Sequence, residues 1–90
     1  MTLEEIRKQI DEIDNEILKL LLKRLQYSKQ IADLKFDSST PIYDETRENE
    51  ILNRLKVNSK DNHKYVAPIF SEILTTSKNI QEEIFNNKEN

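Results

Sequence analysis

Apolar residues in the first part of the chain recur at alternating intervals of three and four positions, the spacing of one helical face. The first six in this register are Leu3, Ile6, Ile10, Ile13, Ile17 and Leu20. Thr2 and Glu5 have the spacing of a capping box, which marks the start of a helix. Neither Pro nor Gly interrupts the register before FDSSTP at residues 36–41. The pattern therefore predicts a first helix of about 33 residues, over residues 2–35.

Two further helices are predicted downstream. Asp44 can cap a helix over residues 44–57, which should end near Asn58. A third helix is expected over residues 62–85, with Pro68 either bending it early or marking its first turn. Its apolar stripe consists of Val66, Phe70, Ile73, Ile80 and Ile84, with Ser77 in the same register. The polar tail at residues 86–90 is expected to fray.

The length of the first helix bears on assembly. At about 1.5 Å per residue it is about 50 Å long, whereas a compact chain of 90 residues has a radius of gyration of about 12 Å. One chain cannot cover such a stripe, so a second copy or another protein must bury it. We expect one all-α domain over residues 1–90, with one very long, one short and one medium helix, forming an intertwined homodimer.

Composition and charge exclude several classes of function. The chain has no Gly or Cys, one His and a formal net charge of −3, with the two signs interspersed. A helical class fits the absence of Gly, and catalysis by a metal or a thiolate is not expected. No basic face suited to nucleic acid or an anionic membrane is present. The first residues lack an apolar signal core and no apolar run could span a bilayer, so a cytoplasmic protein is expected.

Arg24 occupies a position that the helical register assigns to the buried stripe, where an unpaired guanidinium is costly. Arg7, Ser28 and Lys35 lie beside the same stripe. Arg7 and Arg24 are about 26 Å apart along a straight helix, too far to bind one small ligand within a chain. If two first helices pair antiparallel, Arg7 of one chain approaches Arg24 of the other and two equivalent sites form. The alternative is that these residues are solvated charges with an interfacial salt bridge.

The other two helices add polar candidates. Asp44, Arg47 and Glu48 lie in the first turn of the second helix, where free backbone N–H groups donate hydrogen bonds to anions or hydroxyls. Ser77 and Gln81 lie four residues apart on one face of the third helix. An ordinary cap with surface charges explains the first group equally well, and packing explains the pair.

Taken together in this order, these residues resemble the all-helical chorismate mutases, including the N-terminal mutase domain of bacterial P-proteins. The resemblance covers residues 3–85. It rests on Arg7 in LEEIRKQIDEID, Arg24 in LLLKRLQYSKQIADLK, Lys35 nine residues before Asp44, the DETRENE segment and SKNIQ. It implies a cofactor-free enzyme that converts chorismate to prephenate by an intramolecular Claisen rearrangement in phenylalanine and tyrosine biosynthesis.

The resemblance also implies a role for each residue. Arg24 and the partner's Arg7 would bind the two substrate carboxylates, and Lys35 would bridge a carboxylate and the ether oxygen. Gln81 would donate a hydrogen bond to the ether oxygen and Ser77 would contact a carboxylate. The ring hydroxyl would be held by Glu48 and the backbone at Asp44, while Arg47 would order the carboxylate end.

Two other functions remain open at this point. An isochorismate-pyruvate lyase resembles these mutases in fold and in its cationic residues, although the position of Glu48 favours the mutase. A non-catalytic helical dimerisation module would explain the long stripe but not Arg24 and Ser77 within it.

Overall fold

The computed structural model describes residues 1–89 and is all-α. It contains α1 (Leu3–Asp37), α2 (Glu45–Ser59) and α3 (His63–Glu89), with a short 3₁₀ turn (Lys60–Asn62) between the last two. The fold class expected from the sequence is confirmed, and no strand occurs in the described range. None of the helices within residues 1–89 is long and apolar enough to cross a membrane.

The ends of α1 follow local sequence signals. Thr2 caps the helix: its hydroxyl accepts from the Glu5 N–H at 3.1 Å, and the Glu5 carboxylate accepts from the Thr2 N–H at 3.2 Å. The predicted capping box is therefore confirmed. At the other end the Ser38 N–H donates to the Leu34 carbonyl at 3.1 Å, which closes the last turn before the interhelix loop.

Only the second half of α1 is packed within the chain. This half lies along α3, and α2 lies against α3. The buried apolar residues are Ala32, Ile51 and Leu74, one from each helix. Every residue from 1 to 20 is exposed, including the apolar stripe from Leu3 to Leu20. The molecule is accordingly elongated, 54 × 26 × 14 Å, with a radius of gyration of 16.5 Å.

The expectation of a frayed tail is wrong for residues 86–89, which continue α3 as a regular helix. The physical reason lies in contacts with the end of α1. Lys88 forms an ion pair with Asp33 at 3.1 Å, and its ammonium lies 5.3 Å from the ring centre of Phe36. Phe36 and Phe85 also pack edge to face, with ring centres 5.3 Å apart. Asn90 lies outside the described residues.

Pro68 lies inside α3, so the alternative that it marks the first turn is wrong. The helix already begins at His63, where the preceding 3₁₀ turn leads the chain directly into it. Since proline has no N–H, the hydrogen bond from residue 68 back to the carbonyl of residue 64 is missing.

The turn between α2 and α3 carries backbone strain. Lys60 has φ 51° and ψ −125°, a combination that glycine adopts without steric cost and other residues do not. The chain contains no glycine to relieve it. The reversal from α2 to α3 is therefore held in place by packing of the two helices, at some cost in stability.

Lys60→Gly should raise the free energy of unfolding by about 1 kcal/mol, because the relief of strain exceeds the added freedom of the unfolded chain. Urea unfolding at fixed protein concentration would measure it. Lys56→Gly, inside α2, is the matched control and should lower stability by about 1 kcal/mol. Equal losses in the two variants would show that Lys60 is not strained.

Candidate active site

One cavity of about 230 Å³ lies between the three helices, a volume that fits several waters or one small organic anion. Seven of the eight site residues expected from the sequence line it. They are Arg24, Lys35, Asp44, Arg47, Glu48, Ser77 and Gln81. The structure thus brings together residues that are up to 57 positions apart in the sequence.

Helical spacing explains why these side chains converge. On α1 the lining residues Arg24, Ser28, Ile31 and Lys35 recur at intervals of three and four, so they share one face. On α2 the site uses the first turn, where the Asp44 carboxylate accepts from the Arg47 N–H at 3.0 Å and caps the helix. The predicted cap is confirmed, and it fixes the point at which α2 begins beside the cavity.

The cavity has a surplus of positive charge. Four cationic side chains line it, namely Arg24, Lys35, Arg47 and Lys78, against the two carboxylates of Asp44 and Glu48. That is a local excess of two positive charges in a chain whose formal net charge is −3. All three helices contribute cations, so the folded arrangement concentrates charge that is dispersed along the sequence. Such a site is complementary to a dianion.

The positive charge of Arg24 is disfavoured by its position in the cavity. Burial lowers the pKa of Arg24, and the neighbouring positive charges of Arg47 and Arg54 lower it further. Both effects disfavour the charged form, yet a guanidinium remains protonated at neutral pH. An anion bound beside Arg24 would relieve this repulsion, which is the source of favourable binding energy.

Lys78 is a site residue that the sequence analysis did not identify. Its ammonium forms an ion pair with the Glu48 carboxylate at 3.0 Å and lies 5.1 Å from the ring centre of Tyr43. The only signal was its place beside Ser77 in SKNIQ. A charge flanking an apolar stripe usually faces solvent, and the pairing with α2 is a tertiary contact that no local pattern specifies.

Two other charged side chains are held in place by neighbours. The Lys35 ammonium donates to the Ile42 carbonyl at 2.7 Å, which joins the end of α1 to the interhelix loop. The Arg47 guanidinium pairs with Glu50 at 3.3 Å on the surface of α2. Both cations line the cavity and each has a partner within the chain.

Ser77 and Gln81 belong to a short hydrogen-bond network. Gln81 Nε2 donates to Ser77 Oγ at 3.1 Å, and Ser77 Oγ lies 2.6 Å from Ser28 Oγ on α1. The predicted pair on α3 thus does more than pack: it connects two helices at the cavity. Ser28 also lines the cavity.

Arg7 is the one predicted site residue that the structure does not bring to the cavity. It lies near the start of α1, seventeen positions before Arg24, on the part of the helix that is exposed throughout. A straight helix separates the two residues by about 26 Å. Within one chain Arg7 cannot reach the ligand space.

Comparison with known proteins assigns the chain to a described family. Residues 6–82 match the family model described as chorismate mutase type II. A chorismate mutase of Methanocaldococcus jannaschii is 44% identical over 61 residues, which are 68% of this chain and 62% of that protein. The bifunctional chorismate mutase/prephenate dehydratase of Aquifex aeolicus is 34% identical over 91% of this chain, which spans 24% of that protein. The chain therefore spans less than two thirds of the length of either relative.

The charge surplus predicts that a small dianion stabilises the protein. At pH 7 malonate should raise Tm more than acetate does at equal ionic strength, because two linked carboxylates match the two excess charges. At a concentration about one hundred times Kd the gain would be about 2.7 kcal/mol. The matched control pair is Arg24→Met, which should abolish the difference, and Lys23→Met on the neighbouring exposed position, which should keep it. A difference that survives in Arg24→Met would place the binding site elsewhere.

Proposed function

Because the chain belongs to the chorismate mutase type II family, we propose that it catalyses the conversion of chorismate to prephenate. The observation that carries the proposal is the cavity with an excess of two positive charges, since chorismate is a dicarboxylate. Uncharged hydrogen-bond donors from Ser77 and Gln81 lie in the same cavity. The reaction belongs to phenylalanine and tyrosine biosynthesis. Its proposed location is the cytoplasm, in keeping with a chain of which 34% is charged residues.

The chemistry explains why cations and amide donors suffice. The rearrangement breaks a C–O bond while a C–C bond forms within one molecule, and it requires no proton transfer, nucleophile or metal. The enzyme has to hold the enolpyruvyl ether in a compact, chair-like conformer and stabilise negative charge that grows on the ether oxygen. Binding both carboxylates serves the first need, and donors at the ether oxygen serve the second.

In this proposal Arg24 binds one carboxylate, for which a planar guanidinium is suited because it donates two parallel hydrogen bonds. Lys35 bridges a carboxylate and the ether oxygen, exchanging its bond to the Ile42 carbonyl for the ligand. Gln81 donates to the ether oxygen through Nε2. The Ser77 hydroxyl contacts a carboxylate.

The remaining lining residues serve the other end of the ligand. Glu48, held at 3.0 Å by Lys78, accepts a hydrogen bond from the ring hydroxyl together with the backbone at Asp44. Arg47, which lies in the first turn of α2, orders the carboxylate end of the site.

We propose that the active enzyme is an intertwined homodimer in which the partner's Arg7 completes the site by binding the second carboxylate. Support comes from the exposed stripe on residues 3–20 of α1, which a second copy would bury. An apolar groove continues this stripe along Ile17, Leu21 and Leu25 of α1, facing Ile69 and Ile73 of α3. Twofold symmetry then generates two equivalent sites.

Incubation of the purified protein with chorismate, and separately with isochorismate, tests the activity. Formation of prephenate from chorismate is the expected result. Formation of pyruvate and salicylate from isochorismate, with chorismate unchanged, would identify an isochorismate-pyruvate lyase. No turnover of either compound by a folded dimer would indicate a non-catalytic module.

Complementation of two inactive variants tests the shared site. Arg7→Ala and Arg24→Ala homodimers should each be nearly inactive, because each lacks one carboxylate ligand in both sites. When the two are unfolded together and refolded, half of the dimers are mixed and each has one intact site. Activity should return to about a quarter of wild type.

Sedimentation and mass spectrometry of the refolded mixture would verify that heterodimers are present. If they are and the mixture stays as inactive as its components, Arg7 and Arg24 do not serve one site across an interface. A folded, active wild-type monomer at micromolar concentration would contradict the homodimer itself.

Gln81→Glu tests the donor at the ether oxygen. An amide donates at any pH, whereas a carboxyl group of similar shape donates only when protonated, and a free Glu has a pKa of about 4.3. The activity of the variant should fall at pH 7 and recover toward acid, because the protonated form regains the donor. The measurement is kcat/KM across pH beside wild type, with circular dichroism at each pH as the control for folding. Wild-type activity at neutral pH with a flat profile would remove Gln81 from the mechanism.

A further inference from the structure

The two buried polar side chains within residues 1–89 both belong to the cavity network. Ser28 on α1 is 3% exposed and Gln81 on α3 is 6% exposed. No hydrogen bond joins them directly; Ser77 Oγ links them, 2.6 Å from Ser28 Oγ and 3.1 Å from Gln81 Nε2. Buried polar groups are costly unless they are hydrogen-bonded, so two of them in one network indicate that the network has a function.

The number of hydroxyl protons limits which groups in the network can donate and which must accept. Each serine hydroxyl has one proton to donate. Ser28 Oγ donates to the Arg24 carbonyl one helical turn earlier, at 3.1 Å. With the Ser28 proton on that carbonyl, Ser28 accepts from Ser77, and the single Ser77 proton is used on Ser28. In this state Ser77 accepts from Gln81, which places the amide nitrogen, not the oxygen, toward Ser77.

The oxygen side of the Gln81 amide does not fix its orientation. Gln81 Oε1 is buried and has no hydrogen-bond partner among residues 1–89. The two orientations of a Gln side chain, related by exchange of nitrogen and oxygen, have nearly the same shape. The proton count at Ser77 is thus the feature of the network that distinguishes them, and this count depends on Ser28.

We propose that Ser28 is a positioning residue that fixes the orientation of the Gln81 amide through Ser77. In this orientation one N–H of Nε2 is held by Ser77 and the second is available to a ligand in the cavity. The inference rests on the proposed function, in which that second N–H meets the ether oxygen. With the amide reversed, Oε1 would repel the negative charge that develops there.

The orientation of the Gln81 amide is also kept when a carboxylate binds at Ser77. The Ser28 hydroxyl can turn from the Arg24 carbonyl to Ser77 Oγ, which frees the Ser77 proton for the carboxylate. Ser77 Oγ then accepts from both Ser28 and Gln81 Nε2, using its two lone pairs. The Gln81 amide keeps its orientation in both states.

Ser28→Ala removes the hydroxyl and leaves nearly the same volume. Tm should stay the same or rise, since alanine is the better helix former. kcat should fall roughly three- to ten-fold, less than the hundred-fold or more that loss of a donor itself costs, with KM changed less than about two-fold. Ser59→Ala is the matched control: Ser59 Oγ makes the same bond to the carbonyl four residues earlier, at 2.6 Å, outside the cavity. It should leave kcat unchanged.

A double-mutant cycle separates positioning from packing. In a Gln81→Ala background, adding Ser28→Ala should lower kcat no further, because the amide that Ser28 orients is gone. If Ser28→Ala lowers kcat by the same factor with and without Gln81, or leaves the wild-type kcat unchanged, the proposal is overturned.

A second measurement does not depend on turnover. The side-chain NH₂ signals of Gln81 in a ¹H–¹⁵N spectrum, assigned by their loss in Gln81→Ala, should shift or double in Ser28→Ala and not in Ser59→Ala. Unchanged signals would overturn the proposal even in an active enzyme. Failure of the wild type to convert chorismate would instead refute the proposed function, and the Gln81 signals would still decide the role of Ser28.

Discussion

The apolar stripe of α1 is the constraint on which the rest of the structure depends. Within one chain, residues 3–20 of this 35-residue helix are exposed, the apolar stripe included. Only the second half of α1 is folded against α3, and that half carries Arg24, Ser28 and Lys35. The same helix therefore has one half that builds a cavity and one half that requires a second surface to bury it. Any function that uses residues from both halves must be a function of an assembly.

The positive charges of the cavity, like the exposed stripe of α1, are not fully compensated within one chain. Four cations concentrated at one place repel one another. The pKa of Arg24 is lowered first by burial and then by the positive charges of Arg47 and Arg54. The carboxylates of Asp44 and Glu48 offset only part of the repulsion, since the first is used as a helix cap and the second is paired with Lys78. An anion bound among these cations would relieve the repulsion, and this relief would contribute to its binding energy. For a reaction whose barrier is lowered by holding one conformer, such binding energy is what the protein has to supply.

Local features could be predicted from the sequence, whereas contacts across the fold could not. The Thr2–Glu5 capping box and the Asp44 cap each involve residues three positions apart, so the sequence specifies them directly. Ser28 and Ser77 are 49 positions apart, and Lys78 pairs with Glu48 across two helices. No periodicity indicates such pairings. The helical end of α3 was missed for the same reason: residues 86–89 are polar, and it is the contact of Lys88 with Asp33 and Phe36 that orders them.

The contacts that the cationic side chains make within the chain also suit exchange with a ligand. Lys35 donates to a neutral backbone carbonyl, and a carboxylate accepts a stronger, charge-assisted hydrogen bond. The Arg47–Glu50 pair is on the surface, where water and salt weaken ion pairs, so it opposes binding little. Lys78, by contrast, is bound to the Glu48 carboxylate in a partly buried position, and that pair would be retained. Lys35 and Arg47, which a ligand would draw away from their partners, therefore have weak partners. Lys78, which a ligand would leave in place, has a charged and partly buried one. The cost of reorganisation on binding is small for that reason.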